Sequence, residues 1–132
     1  MENKDKQSKE TLILIVEDDP SLSKMYSIKF ESEGMKTAVA HDGADGLSKA
    51  AELKPDLILL DMMLPKYSGI EFLEQLKAHG ALTDVPIIAL TNLTEKKEAE
   101  RALSLGAKEY LAKAMHTPKD VVEKVKKYLK KA

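Results

Sequence analysis

Two apolar runs in this chain do not alternate with polar residues, and they restrict the fold more than any other feature. Leu12-Ile13-Leu14-Ile15-Val16 and Leu57-Ile58-Leu59-Leu60 are apolar at every position. A strand with one wet face alternates, whereas a strand covered on both faces does not. Such runs ask for a parallel sheet with helices on both sides. Further short apolar runs occupy residues 35–40, 85–90 and 110–112. Segments with helical spacing lie between them. Leu22, Met25, Tyr26, Lys29 and Phe30 form one stripe, Ile70, Leu73 and Leu76 a second, and Ala99, Ala102 and Leu103 a third. Val121, Val122, Val125, Tyr128 and Leu129 fall on one helix face at i, i+1, i+4, i+7 and i+8.

The punctuation agrees. Asp19-Pro20 and Thr117-Pro118 each place a capping side chain before a proline at the first helical position. Asp42 can cap the helix carrying Leu47 and Ala50, and Gly34, Gly80 and Gly106 stand where helices should stop. Strand and helix alternate five times, which implies a parallel sheet joined by right-handed crossovers. The length of 132 residues suits one domain. Residues 1–10 are polar and are expected to form a flexible tail, with the folded unit over 11–131.

Composition narrows the function. Lys plus Arg is 21 and Asp plus Glu is 22, so the net charge of −1 gives no electrostatic footprint for nucleic acid. The absence of cysteine excludes a disulfide framework, a zinc-thiolate centre and a cysteine nucleophile. No apolar run approaches the ~20 residues of a membrane-spanning helix. A cytoplasmic location is expected.

In an open α/β sheet, ligands bind outside the carboxyl ends of the strands. Glu17, Asp18 and Asp19 follow the first run, Asp61 the third, Thr91 and Asn92 the fourth and Lys113 the fifth. If the first and third strands are neighbours, Asp18 and Asp61 share one crevice. Carboxylates crowded there repel one another, and a hard divalent cation such as Mg²⁺ relieves the conflict. Lys113 adds a point positive charge, and the set together can hold a phosphoryl group. A carboxylate is a competent nucleophile toward phosphorus. Asp61 is the candidate, because the apolar Met62-Met63-Leu64 after it offers no helix start to cap. Asp18 and Glu17 are cast as metal ligand and helper, and Thr91 as a hydroxyl donor to a phosphoryl oxygen. Each residue alone has an ordinary role, Asp19 as a helix cap and Lys113 as a surface lysine. Their joint placement at four strand ends carries the inference.

These segments resemble the receiver domain of two-component response regulators, over about residues 11–131. Leu12-Ile-Leu-Ile-Val-Glu-Asp-Asp-Pro20 is similar to the family's opening strand and acidic pair, which maps to Glu17 and Asp18. Asp56-Leu-Ile-Leu-Leu-Asp61-Met-Met-Leu-Pro65, with Gly69, is similar to its phosphoacceptor segment. Pro86-Ile-Ile-Ala-Leu-Thr91 and Gly106-Ala107-Lys-Glu-Tyr110-Leu-Ala-Lys113 resemble its switch-hydroxyl and its aromatic and lysine segments. The resemblance implies a flavodoxin-like, doubly wound α/β fold. It has a five-stranded parallel sheet in order 2-1-3-4-5 and five flanking helices. It implies phosphoryl transfer to Asp61 from a histidine kinase or a phosphotransfer protein. Asp18 and Asp61 would ligate Mg²⁺ with the backbone carbonyl of Met63, and Glu17 would act through water. Lys113 would contact the phosphoryl group. Thr91 and Tyr110 would move together and change the face of the fourth helix, fifth strand and fifth helix shown to a protein partner. No direct contact with nucleic acid, no membrane insertion and no turnover enzymology are expected; the domain would assist only its own phosphorylation and dephosphorylation.

Three positions depart from the family pattern. Ala114 stands where proline is usual after the lysine. Either a trans Lys113–Ala114 bond with a rearranged loop is expected, or a cis bond at ~2.5–4 kcal/mol. Leu64 replaces a common methionine, a volume-conserving change. Met63 and Leu93, two residues beyond Asp61 and Thr91, are apolar and cannot orient an attacking water, so slow self-hydrolysis is expected.

Other features point nowhere further. His41, His79 and His116 are scattered without ligand spacing and read as solvated or capping. Seven lysines against Asp120 and Glu123 after residue 112 read as a solvated helix face. The competing functions are weaker. A flavodoxin-like redox protein would not place Glu17-Asp18-Asp19 where its phosphate loop belongs. An aspartate-nucleophile phosphatase would want an acid at Met63. A phosphorylation-independent interaction module of the same fold gains some support from Ala114. With no output segment after residue 132, the sequence suits a stand-alone receiver, or a piece of a longer regulator.

Overall fold

The structure, a computed structural model, describes residues 10–64, 68–80, 84–91 and 96–129. Five strands, β1 (Leu12–Val16), β2 (Lys36–Ala40), β3 (Leu57–Asp61), β4 (Ile87–Thr91) and β5 (Glu109–Ala112), alternate with five helices. These are α1 (Pro20–Ser32), α2 (Gly43–Leu53), α3 (Gly69–His79), α4 (Lys96–Ser104) and α5 (Pro118–Leu129). A single 3₁₀ turn, Lys113–Met115, links β5 to α5. All neighbouring strands are parallel, in the order β2-β1-β3-β4-β5. The first and third strands are thus neighbours, with Val16 beside Leu60.

The non-alternating runs are explained by two apolar layers, one on each face of the sheet. Leu14, Val16, Ile58, Leu60 and Ala89 point into the layer with Phe72, Leu73, Leu76 and Ala102 of α3 and α4. Ile13, Ile15, Leu57, Leu59, Ile88 and Leu90 point into the other, with Tyr26 and Phe30 of α1 and Val121, Val122 and Val125 of α5. At about 25 cal/mol per Å² of apolar surface, this two-sided burial is the main force holding the sheet.

Some boundaries and faces differ from the sequence pattern. β4 starts at Ile87 rather than Val85, since Pro86 has no N–H to give the ladder, although its carbonyl accepts from Ile58 N–H at 3.0 Å. On α1 the buried positions are Ser23, Tyr26 and Phe30, while Met25 is half exposed. The small Ser23 fits against the sheet because its hydroxyl bonds the Pro20 carbonyl at 3.1 Å, so no polar group is buried unsatisfied. That choice turns Met25 outward. On α4, Ala102 is buried and Leu103 faces solvent.

The caps form as the sequence implies. Asp19 accepts from Ser21 and Leu22 N–H, and Asp42 from Asp45 N–H. Thr117 and Asp120 bond each other's backbone reciprocally, each at 3.1 Å. A second capping box, Ser68 with Glu71, starts α3 and has no counterpart in the sequence reading. Gly34 and Gly106 adopt left-handed backbone (φ 88° and 114°) that a side chain would strain.

Candidate active site

The acidic cluster sits where β1 and β3 end side by side. Glu17 prolongs β1 by one rung, its N–H donating to the Ala40 carbonyl at 2.9 Å. Met62 does the same for β3 against the Leu90 carbonyl at 2.8 Å. These rungs carry Glu17 and Asp61 to the rim while keeping both buried, at 1% and 2% exposure. Asp18, one residue on, is exposed. One carboxylate oxygen from each of Glu17, Asp18 and Asp61 lies within 4.8 Å of the others.

Lys113 enters from the far edge of the sheet. Its Nζ is 2.9 Å from Glu17 Oε1 and 3.3 Å from Asp61 Oδ2. The second oxygen of each acid is held by backbone. Glu17 Oε2 accepts from Asp19 N–H at 3.2 Å and Asp61 Oδ1 from Met63 N–H at 2.9 Å. Asp61 therefore has a local backbone bond, although no helix starts after it for it to cap. The bond leaves Oδ2 facing the lysine. Gly69 closes the loop beneath: its N–H donates to the Met62 carbonyl at 3.2 Å. A Cβ at Gly69 would lie 2.6 Å from Met62 Cα, so only glycine permits this approach.

The charges are unbalanced. Burial, reinforced by the nearby Asp61 charge, pushes the Glu17 carboxyl from 4.5 up to about 7, against the lowering effect of the Lys113 hydrogen bond. Burial alone would lower the Lys113 ammonium, but its bond to Glu17 and the charges of Asp61 and Glu17 outweigh this, and it titrates above its ordinary value. One lysine, bonded to Glu17 and Asp61, is thus set against a cluster of three carboxylates. A hard oxygen donor set, two members buried and one open to solvent, fits a small divalent cation such as Mg²⁺. Met63, whose carbonyl was expected to join this set, lies in the loop directly after β3 with its side chain exposed.

Thr91 ends β4 fully buried, and the strand register sets it beside Ala112, the residue before Lys113. Tyr110 pairs with Ala89 on the same two strands and packs, half-buried, against the α3–α4 side of the core. The Lys113–Ala114 bond is trans, there being no cis bond among the described residues. The chain leaves it in the 3₁₀ turn, and Lys113 reaches both acids without the usual proline. Leu93 and Asn92, and the tail at 1–9, lie outside the described residues. The greater prominence of Glu17, buried and the nearer partner of Lys113, had no signal in sequence, because that partner lies 96 residues away.

A family model for the response regulator receiver domain matches residues 13–126. The DNA-binding response regulator MtrA of Mycolicibacterium smegmatis is 41% identical over 119 residues, covering 90% of this chain and 50% of that relative. The phosphate regulon transcriptional regulatory protein PhoB of Escherichia coli is 35% identical over 119 residues, covering 90% of this chain and 52% of PhoB. The chain spans about half the length of these curated relatives. Among solved structures, a CheY-like response regulator receiver domain protein from Methanospirillum hungatei matches with a TM-score of 0.84 at 31% identity, covering 92% of this chain and 94% of that one. The BeF3-activated N-terminal receiver domain of Klebsiella pneumoniae RstA gives 0.82 at 29%, covering 92% and 100%. With its sheet order, its convergent acids and its lysine, the chain belongs to the response regulator receiver domain family.

Proposed function

We propose that Asp61 is the phosphoryl acceptor of this receiver. The single observation that carries the proposal is the meeting of Glu17, Asp18 and Asp61 oxygens within 4.8 Å, with Lys113 Nζ 3.3 Å from Asp61. An Asp61 carboxylate oxygen attacks phosphorus, and the bond between phosphorus and an imidazole nitrogen of the donor breaks. The imidazole leaves and takes up a proton. Lys113 follows the negative charge from the carboxylate to the phosphoryl oxygens. Asp18, Asp61 and the Met63 carbonyl, with Glu17 through water, would hold Mg²⁺, which supplies positive charge against the phosphoryl oxygens.

The phosphoryl group adds about −1.5 to −2 charge at the strand ends. Thr91 satisfies one of its oxygens by moving toward it, and the Tyr110 ring fills the space vacated. The α4, β5 and α5 surface then favours a second arrangement that a protein partner recognises. The donor is a histidine kinase or a phosphotransfer protein, and the setting is cytoplasmic. The domain accepts one group and helps remove it, without turnover of a separate substrate. A phosphorylation-independent module has Ala114 in its favour; the contacts of Lys113 with Glu17 and Asp61 support the phosphoacceptor reading instead.

Incubation with a small-molecule acyl phosphate and Mg²⁺ tests the proposal. A gain of one phosphoryl group by intact mass, lost on chelation and lost in Asp61→Asn, is expected. Unchanged labelling of Asp61→Asn would refute it.

A further inference from the structure

We propose that His41 is a positioning residue for the Glu17–Asp18 segment and, through it, for the exposed metal ligand Asp18. The proposal rests on the metal site described above. His41 directly follows β2 and had no role in the sequence reading beyond solvation or capping. Its Nδ1 lies 3.1 Å from the Glu17 backbone carbonyl. A carbonyl oxygen can only accept, so Nδ1 carries a proton, which in a neutral ring leaves the lone pair on Nε2.

Two consecutive residues at the end of β2 therefore hold both backbone poles of Glu17. The Ala40 carbonyl takes its N–H at 2.9 Å, and the His41 ring takes its C=O. The first bond belongs to the sheet ladder, whereas the second lies beyond it and depends on a side chain. The Glu17 carbonyl shares a rigid peptide plane with the Asp18 nitrogen. Fixing that plane fixes the position of the Asp18 Cα, the point from which its side chain leaves the backbone.

Asp18 needs this help more than its neighbours do. The Glu17 and Asp61 carboxylates are each tied by Lys113 and by a backbone N–H. Asp18 is exposed and is aimed by its backbone. Mg²⁺ demands near-octahedral geometry at ~2.0–2.1 Å, so a peptide plane free to rotate weakens the site. His41 is exposed, and its backbone is placed by β2 before it and by Asp42 after it, which caps α2 through Asp45 N–H at 2.8 Å.

The test combines a spectrum with an affinity. In the metal-free protein at alkaline pH, the ¹⁵N shifts of His41 are expected to show the Nδ1–H tautomer, the minor form of a free neutral imidazole. Titration with Mg²⁺, followed by amide shifts, is expected to show about 3–10-fold weaker binding in His41→Ala, a smaller loss than for charged outer partners of a metal ligand. His41→Asn, whose amide N–H can replace Nδ1–H, should recover most of it. An Nε2–H tautomer, wild-type affinity in His41→Ala, or equal weakening in both variants would overturn the proposal. Magnesium binding absent from the wild type would instead sink the metal site itself, a result distinct from a loss confined to the His41 variants.

Discussion

β3 has an aspartate at each end, and the two have opposite circumstances. Asp56, just before the strand, is sewn into β1: its Oδ2 accepts from Leu12 N–H at 2.8 Å and its own N–H donates to the Leu12 carbonyl at 2.8 Å. Backbone bonds alone close the amino ends of β2 and β5, Lys36 N–H on the Thr11 carbonyl and Lys108 N–H on that of Ile87. Asp61, at the last position of the strand, shares its crevice with two more acids and one lysine. At the amino ends these bonds pair polar groups across neighbouring strands. At the carboxyl ends carboxylates are concentrated beyond the one lysine that meets them, a surplus that suits a cation. Stability and chemistry are therefore separated along the length of one strand.

Lys113 offers the largest break of this comparison. Lys113→Met leaves Glu17 and Asp61 buried without their cation, and removing one partner of a buried pair costs about 3 kcal/mol or somewhat more. Denaturant unfolding of the metal-free protein is expected to show that loss. Phosphorylation by a small-molecule donor is expected to slow about a hundredfold, the scale of one lost electrostatic donor in a reacting site. A stable Lys113→Met protein would mean that the acids are already neutralised by other means.

Glu17→Gln reverses the sign. Because folding raises the Glu17 carboxyl from 4.5 to about 7, the folded state binds the proton more tightly than the unfolded state. That contribution is fully present below pH 4.5 and is lost as the pH rises through about 7. The metal-free wild type should weaken across this window relative to Glu17→Gln, by about 1–3 kcal/mol after allowance for solvent screening. Unfolding midpoints at mildly acidic and mildly alkaline pH check this. The same substitution should weaken Mg²⁺ binding, so stability and function move in opposite directions. Parallel curves for the two proteins would remove the strain assigned to the carboxyl ends.

Met63 sharpens the comparison from the solvent side. Its side chain is 44% exposed at the rim, yet it has no polar atom able to orient water toward an acyl phosphate. Slow self-hydrolysis is expected, and a lifetime of only seconds would contradict it. Met63→Asn should shorten the lifetime about tenfold, equivalent to about 1.4 kcal/mol of barrier.

Much of the frame was legible because it depends on periodicity. The apolar run Leu12–Val16 is the strand, and Asp19, Asp42 and Thr117 are the caps, since those signals are local. The failures are tertiary. Met25 belongs to a perfectly good helical stripe, but Ser23 takes the inner position by satisfying its own hydroxyl. The convergence of Glu17, Asp18, Asp61 and Lys113 at the strand ends could be read, but the ranking among them could not. Glu17, one rung beyond β1, is buried and meets Lys113 arriving across the sheet, whereas Asp18 beyond it is exposed. The His41 bond was equally invisible, for it joins the ends of two strands 24 residues apart.

The smallest effect lies at the quiet end. Asp56→Ala removes an acceptor from Leu12 N–H while the reciprocal backbone bond, Asp56 N–H to the Leu12 carbonyl, survives. The site is exposed, so water replaces the lost carboxylate and no orphaned donor is buried. The expected loss is therefore that of one ordinary hydrogen bond, about 1 kcal/mol, rather than a desolvation penalty. Mg²⁺ affinity and phosphorylation rate should match the wild type, because β3 remains anchored by its apolar residues on both faces. A drop in magnesium affinity with Asp56→Ala would show that strain passes along β3 from one aspartate to the other, and that the two ends are not independent.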